Sequence, residues 1–286
     1  MVLGFVGLGN MGSVLAGNLV ASGFEVLTHD VAGDGRSPVG ATFVLEINRV
    51  AQSADVVVFS LPNGDICSAV AEALVAAPGS RVAQVVDTST AGVEATERMA
   101  VTLERGGIGL VSAPVSGGIA GARARTLAVI HSGAPSDCRA VRPVLEGLSD
   151  VIHHVGDSPV LAQAMKLANN FLSATALAAT SEAVAFGVAM GLDMERMLSV
   201  LNASSGRSAA SEDKFPNHVL NERYASGFAN TLMAKDVLLY LDAVRTCGAP
   251  ADVGKKTATI WARFAEGEPN VDFTRIYPFV VASNSE

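Results

Sequence analysis

Charge and cysteine are both in short supply. Only 17% of the 286 residues are charged, and acidic side chains outnumber basic ones by 28 to 20, for a formal net charge of −8. Such a chain has no bulk attraction for a polyanion, so a nucleic-acid partner is not expected. The three cysteines, Cys67, Cys138 and Cys247, stand far apart, with no C-x-x-C and no histidine ladder nearby. Neither a disulfide framework nor a metal site is expected, and buried thiols are the simplest reading. Met1–Asn10 lacks the basic start of a secretion signal, and Glu182 interrupts the apolar run Ala174–Leu192. Neither export nor membrane insertion is therefore expected, and the chain is read as cytoplasmic. Lysine is rare as well: there are five, and the first is Lys166, although arginines occur throughout.

What is present in quantity is apolar material, 49% of the residues, which is enough for a large core and argues against disorder. At roughly 100–200 residues per domain, one large or two ordinary domains are expected. Up to about Val155, short apolar runs alternate with helix-length segments: Val2–Val6, Phe24–Thr28, Asp55–Ser60, Val82–Asp87, Ile108–Ala113, Leu127–His131 and Val151–Val155. Most are β-branched and apolar on both faces, as parallel strands covered by helices on both sides must be. Pro159 then suits a helix start, and no proline interrupts the Ala- and Leu-rich stretch through Phe186. Further helical windows lie at Met194–Leu201, Asn230–Cys247 and Val253–Glu266. The expectation is an α/β chain: a doubly wound sheet over residues 1–161, then a long helix leading into an all-α domain over 162–286.

Gly7-Leu8-Gly9-Asn10-Met11-Gly12 directly follows the first strand and opens a helix. Gly7 permits a tight turn, Gly9 lets backbone approach a pyrophosphate, and Gly12 allows close helix–strand packing, while the helix N-terminus offers unpaired N–H groups. Asp30 ends the second strand 18 residues beyond Gly12, near the spacing of a ribose-binding acid. Its charge would repel a 2′-phosphate, and no arginine follows at Val31, so NAD is favoured over NADP. Arg36 is the residue that could reverse this preference. The competing reading of Asp30 is a cap on the turn before Gly33.

The ordered motifs resemble those of the 3-hydroxyisobutyrate dehydrogenase family, the β-hydroxyacid dehydrogenases related to 6-phosphogluconate dehydrogenase. The resemblance spans nearly the whole chain. It is carried by Phe5-Val6-Gly7-Leu8-Gly9-Asn10-Met11-Gly12 with Asn18, by Asp87-Thr88-Ser89-Thr90, and by Ala113-Pro114-Val115-Ser116-Gly117-Gly118. Lys166-Leu167-Ala168-Asn169-Asn170, Ser204-Ser205-Gly206-Arg207, and Phe228 with Leu232-Met233-Ala234-Lys235-Asp236 complete it. It implies a Rossmann-type nucleotide domain and an oxidoreductase acting on a small 3-hydroxy acid.

By the same resemblance, Lys166 is the acid/base and Asn170, four residues on, orients the substrate oxygen. A lysine desolvated in an apolar cleft can have its pKa lowered enough to exchange the hydroxyl proton in both directions. Ser116, Gly117 and Gly118 would hold the substrate carboxylate, although spacing alone fits a simple turn equally well. Gly7, Gly9, Asn10, Met11, Gly12, Asp30, Leu61, Pro62, Thr90 and Lys235 would face the cofactor. A snorkelling Lys166 and an exposed Lys235–Asp236 surface pair are the plain alternatives. The substrate would sit between the domains.

The chain departs from the family pattern at Val160 and Ala162, where glycines are usual, at Ser112 in place of an aspartate, and at Ala209 in place of a tryptophan. These leave the reaction class intact and the substrate open among small hydroxy acids and related semialdehydes of tartronate or sulfonate type. Tyr224, Tyr240 and Tyr277 are followed four residues later by Phe228, Val244 and Val281, so the Tyr-x-x-x-Lys pair of short-chain dehydrogenases is absent. A non-catalytic nucleotide-binding module predicts loss of the acid/base residues, which are present. Apolar residues on several faces of the long helix imply a homodimer or homotetramer.

Overall fold

The computed structural model describes residues 1–283, which divide into two compact units, the first ending at Lys166 and the second beginning at Leu167. In the first, β1 (Val2–Val6), β2 (Glu25–His29), β3 (Thr42–Phe43), β4 (Val56–Phe59), β5 (Gln84–Asp87) and β6 (Gly109–Ser112) form one parallel sheet of order β3-β2-β1-β4-β5-β6. The order reverses between β1 and β4, the switch point at which doubly wound sheets bind ligands beyond their strand ends. Val6 lies beside both His29 and Phe59, Phe59 beside Asp87, and Asp87 beside Ser112, so the carboxyl ends of five strands are level.

Helices α1 (Gly12–Ala21), α2 (Ile47–Ser53), α3 (Gly64–Ala76) and α4 (Val93–Arg105) connect these strands, and the sheet is buried on both faces. One core packs Leu3, Phe5, Leu15, Leu19 and Val58 against Leu145 and Leu148; the other packs Val57, Phe59 and Val85 against Leu74, Met99 and Leu103. β-Branched strand residues between two helical layers account for the fully apolar runs in the sequence.

The last two expected strands do not extend the large sheet. β7 (Val115–Ser116), β8 (Ala128–His131) and β9 (Val151–His154) form a second sheet, with β7 antiparallel to β8 and β8 parallel to β9. The chain turns at Ala113-Pro114, where proline cannot donate to a ladder, and a lone antiparallel bridge from Ser112 to Ser132 links the two sheets. Helix α5 (Gly118–Arg123) separates β7 from β8, and α6 (Pro135–Leu148) separates β8 from β9. β9 is an edge strand with Val151, His153 and His154 exposed, so it is not covered on both faces as expected.

Helix α7 (Val160–Ala189) runs through the division between the units. The second unit continues with α8 (Met194–Asn202), a π-helical segment Ala210–Val219 containing Pro216, α9 (Asn230–Cys247), α10 (Asp252–Gly267), a 3-10 turn Phe273–Arg275 and α11 (Ile276–Ser283). Trp261, fully buried, donates its indole N–H to the Ala174 carbonyl at 3.1 Å, fastening α10 to α7 in a core shared with Phe215, Phe264 and Phe273. Of the thiols, Cys67 is buried, Cys138 half-buried and Cys247 exposed, so burial holds fully for only one of the three. Cys247 is the last residue of α9, at the end where the helix turns out to solvent.

Candidate active site

The predicted nucleotide residues other than Lys235, which lies in α9 of the second unit, follow strand ends of the large sheet: Gly7–Gly12 after β1, Asp30 after β2, Leu61 and Pro62 after β4, Thr90 after β5. Each glycine of the loop has a separate steric reason. Gly7 has φ +99°, and a Cβ there would strike the Ser60 carbonyl; a Cβ on Gly12 would strike the carbonyl of Gly7. Gly9 is exposed and a Cβ would meet nothing within 4 Å, so what its side chain would occupy is open space in front of the first turn of α1. That is the cradle a pyrophosphate requires, and the residues present fit a dinucleotide.

Asp30 does cap the turn, and it also holds the glycine loop. Its Oδ1 accepts from Ala32 N–H at 2.7 Å, capping the turn, and its Oδ2 accepts from Leu8 N–H at 2.5 Å, latching the glycine loop. Each oxygen keeps lone-pair capacity for a hydroxyl donor. Met11 packs against the first core, and Asn18 spans to the carbonyls of Ala122 and Leu148, a structural tie. Arg36 donates from Nη1 to Asn10 Oδ1 at 2.8 Å, and both line a cavity of about 260 Å³ with Ser13, Ile119 and Arg123.

A hydrogen-bonded web joins the loops. Leu61 N–H donates to Ser89 Oγ at 2.8 Å, Ser89 N–H to Asp87 Oδ1 at 3.0 Å, and Thr88 Oγ1 to the Phe59 carbonyl. Its hub is Gln163, fully buried and missed by the sequence reading. Nε2 donates to the Ser89 carbonyl and to Ser112 Oγ, both at 3.0 Å, and Oε1 accepts from Gly92 N–H at 3.1 Å. Ser112, which replaces an aspartate of the family pattern, is thus the partner of an amide. Ala162 N–H in turn donates to Ser132 Oγ at 2.8 Å, so the start of α7 is fixed to the same side of the unit as the loop carrying Thr90.

Lys166 follows Gln163 by three residues on that helix and is only 8% exposed, which excludes the snorkelling alternative. Ser116 ends β7; Gly117 and Gly118 have φ +132° and +67° and are exposed at the start of α5. A Cβ on Gly117 would press on Leu127, whereas Gly118 faces open space, so the loop presents backbone and a hydroxyl with no bulk in front.

In the second unit Asn170, 5% exposed, donates from Nδ2 to Asp236 Oδ2 at 2.5 Å. Asp236 is 1% exposed, and Lys235 Nζ lies 3.1 Å from its Oδ1. The exposed Lys–Asp surface pair is therefore excluded. Asp236 was not singled out as a functional residue, and its only signal was an acid in a mostly apolar helix. Among the described residues there is no His/Cys/Asp/Glu cluster able to hold a metal ion.

Comparison with known proteins follows the same division of the chain. Residues 2–156 match a family model described as the NAD binding domain of 6-phosphogluconate dehydrogenase, and residues 161–280 one described as NAD-binding of NADP-dependent 3-hydroxyisobutyrate dehydrogenase. The mitochondrial 3-hydroxyisobutyrate dehydrogenase of Drosophila melanogaster is 32% identical, with 96% of this chain and 88% of that protein covered. The 2-(hydroxymethyl)glutarate dehydrogenase of Eubacterium barkeri is 34% identical, covering 87% and 84%. The structure of 3-hydroxyisobutyrate dehydrogenase from Mycobacterium tuberculosis with L-serine superposes with a TM-score of 0.89 at 32% identity, covering 98% of this chain and 99% of that one.

Proposed function

The chain belongs to the 3-hydroxyisobutyrate dehydrogenase family and is an NAD(P)-dependent hydroxyacid dehydrogenase; from that premise we propose that NAD is its cofactor, a small 3-hydroxy acid its substrate, and Lys166 its acid/base. The observation that carries the reading is a buried lysine one helical turn before a buried amide that is itself held by a buried carboxylate. NAD, when bound, would supply the acceptor for the hydride lost from the carbinol carbon.

Lys166 Nζ takes the hydroxyl proton as that carbon is oxidised and returns it in the reverse direction. Asn170 lies four residues on, so both side chains project from one side of the helix, and the Asp236 carboxylate fixes the amide that orients the substrate oxygen. Ser116 Oγ and the backbone N–H groups of Gly117 and Gly118 hold the substrate carboxylate. On the cofactor side, Gly9 and Gly12 take the pyrophosphate, Asp30 the ribose hydroxyls, and Leu61, Pro62 and Thr90 flank the ring. Lys235 is assigned to the cofactor on resemblance, supported by its fixed position beside Asp236. NADP is the second reading, supported by Arg36 on the wall of the cavity beside Asn10.

Initial rates of NADH formation over a panel of small 3-hydroxy acids, with NADP in parallel, test the proposal. One acid is expected to give a rate that falls by roughly 10²–10⁴-fold in Lys166→Ala, while NAD still quenches intrinsic fluorescence. Full activity of Lys166→Ala would remove the acid/base assignment, and a silent panel would remove the substrate class.

A further inference from the structure

A second cavity of the first unit, about 410 Å³, shares no residue with the glycine loop, the substrate loop or the helix of Lys166. His131, Cys138, Arg139, Arg142, Ile152 and His154 line it, drawn from the ends of β8 and β9 and from one side of α6. The two imidazoles lie 5.1 Å apart by ring centroids. His131 is nine-tenths buried, and its Nδ1 has no hydrogen-bond partner, an arrangement that costs free energy unless something supplies one. Arg139 makes no hydrogen bond or ion pair among the described residues.

Acidic groups also stand around this cluster, and they engage Arg142 and His154 while leaving Arg139 without an ion pair among the described residues. Glu146 Oε1 accepts from Arg142 Nε at 2.7 Å, leaving the terminal guanidinium nitrogens of Arg142 to other partners. Asp157 is 3.7 Å from His154 Nε2, and Asp137 takes the amide of Gln84. Burial, then His154 and Arg142, hold the His131 imidazole below its ordinary pKa, so the ring is a neutral donor or acceptor in the cavity. Burial, then the carboxylates of Asp137 and Asp157, push the Cys138 thiol up, so it stays a neutral thiol in the cavity wall.

We propose that this cavity is a binding site for a phosphate-type dianion, with Arg139 and Arg142 as its charge partners and the His131–His154 pair as imidazole donors. Two guanidinium forks and neutral ring N–H groups suit a tetrahedral oxyanion, and arginine is the residue whose planar donors match phosphate oxygens in pairs. A bare phosphate does not fill the volume; Ile152 offers an apolar wall for a short carbon substituent, so the class of ligand is the head of a small phosphate ester.

The test titrates inorganic phosphate into the NAD-saturated enzyme, so that the glycine loop is occupied, while sodium chloride holds ionic strength constant. The imidazole resonances of His131 and His154 are followed by NMR. A saturable shift of both rings is expected, with an apparent Kd that rises at least tenfold in Arg139→Ala/Arg142→Ala. The exposed positions of both arginines leave folding and the rate of NADH formation within twofold of wild type, and Arg139→Ala alone gives an intermediate Kd. A drift no larger than chloride produces, or an unchanged curve in the double variant, would overturn the site.

Discussion

At the place proposed for the ribose end of the cofactor, the carboxylate of Asp30 and the guanidinium of Arg36 favour opposite cofactors. Asp30 is pinned by the N–H groups of Leu8 and Ala32, so its negative charge cannot swing away from the end of β2. A 2′-phosphate brought there meets like charge, which costs several kcal/mol. Arg36, held on Asn10, is exposed and close enough to the loop to offset that repulsion in part. Removing the acid and keeping the base is therefore informative. In Asp30→Ser the ratio of kcat/KM for NADP to that for NAD is expected to rise about tenfold or more, whereas Arg36→Ala leaves NAD kinetics within about threefold. A wild-type enzyme that prefers NADP would refute the assignment of Asp30. At this scale the sequence made Asp30 and Lys166 visible through spacing and motif. Asp236 and Gln163 were hidden because their partners lie 66 and 71 residues away in the chain, and nothing local marks a side chain whose role is set by such distant contacts.

Elements were easier to read than their termini, since the periodicity that defines a strand or helix fades where the chain turns. The strand β1 and the helix α9 fall where the apolar run and the helical window put them, while two short pieces, β3 and β7, carry too few residues to show a pattern. The segment Ala210–Val219 was not among the expected helical windows, since Pro216 and the polar run before it break a regular helical pattern. The start of α7 is where an element acts on the chemistry. Gln163 ties the loop after β5 and the end of β6 to the turn that precedes Lys166, so Gln163→Leu leaves the Gly92 N–H, the Ser89 carbonyl and the Ser112 hydroxyl unpaired in a buried place. Each such loss costs about 1–3 kcal/mol. The variant is expected to melt several degrees lower and to show a raised KM for NAD. A change in melting temperature with cofactor kinetics untouched would reduce Gln163 to a packing residue.

At the scale of the whole molecule, the composition forces apolar surface outward. By length and hydropathy alone α7 could cross a membrane, yet only a third of its most apolar window is buried, and that third, including Ala174, Leu177 and Ala178, packs in the core of the second unit. On another side of the helix, Leu172, Ala179 and Phe186 recur every seven residues and stay exposed, Leu172 by 64% and Phe186 by 69%. A heptad-spaced apolar stripe is what a second helix covers, and large exposed patches on single chains mark interaction surfaces. A second copy of this chain is the occupant we propose. Light scattering at micromolar concentration is expected to give a multiple of the chain mass, and Leu172→Glu/Phe186→Glu to shift the population toward single chains. Wild-type monomers would refute self-association. Flotation of the protein with lipid vesicles would instead assign the stripe to a membrane surface, because both occupants bury the same side chains and only the partner differs.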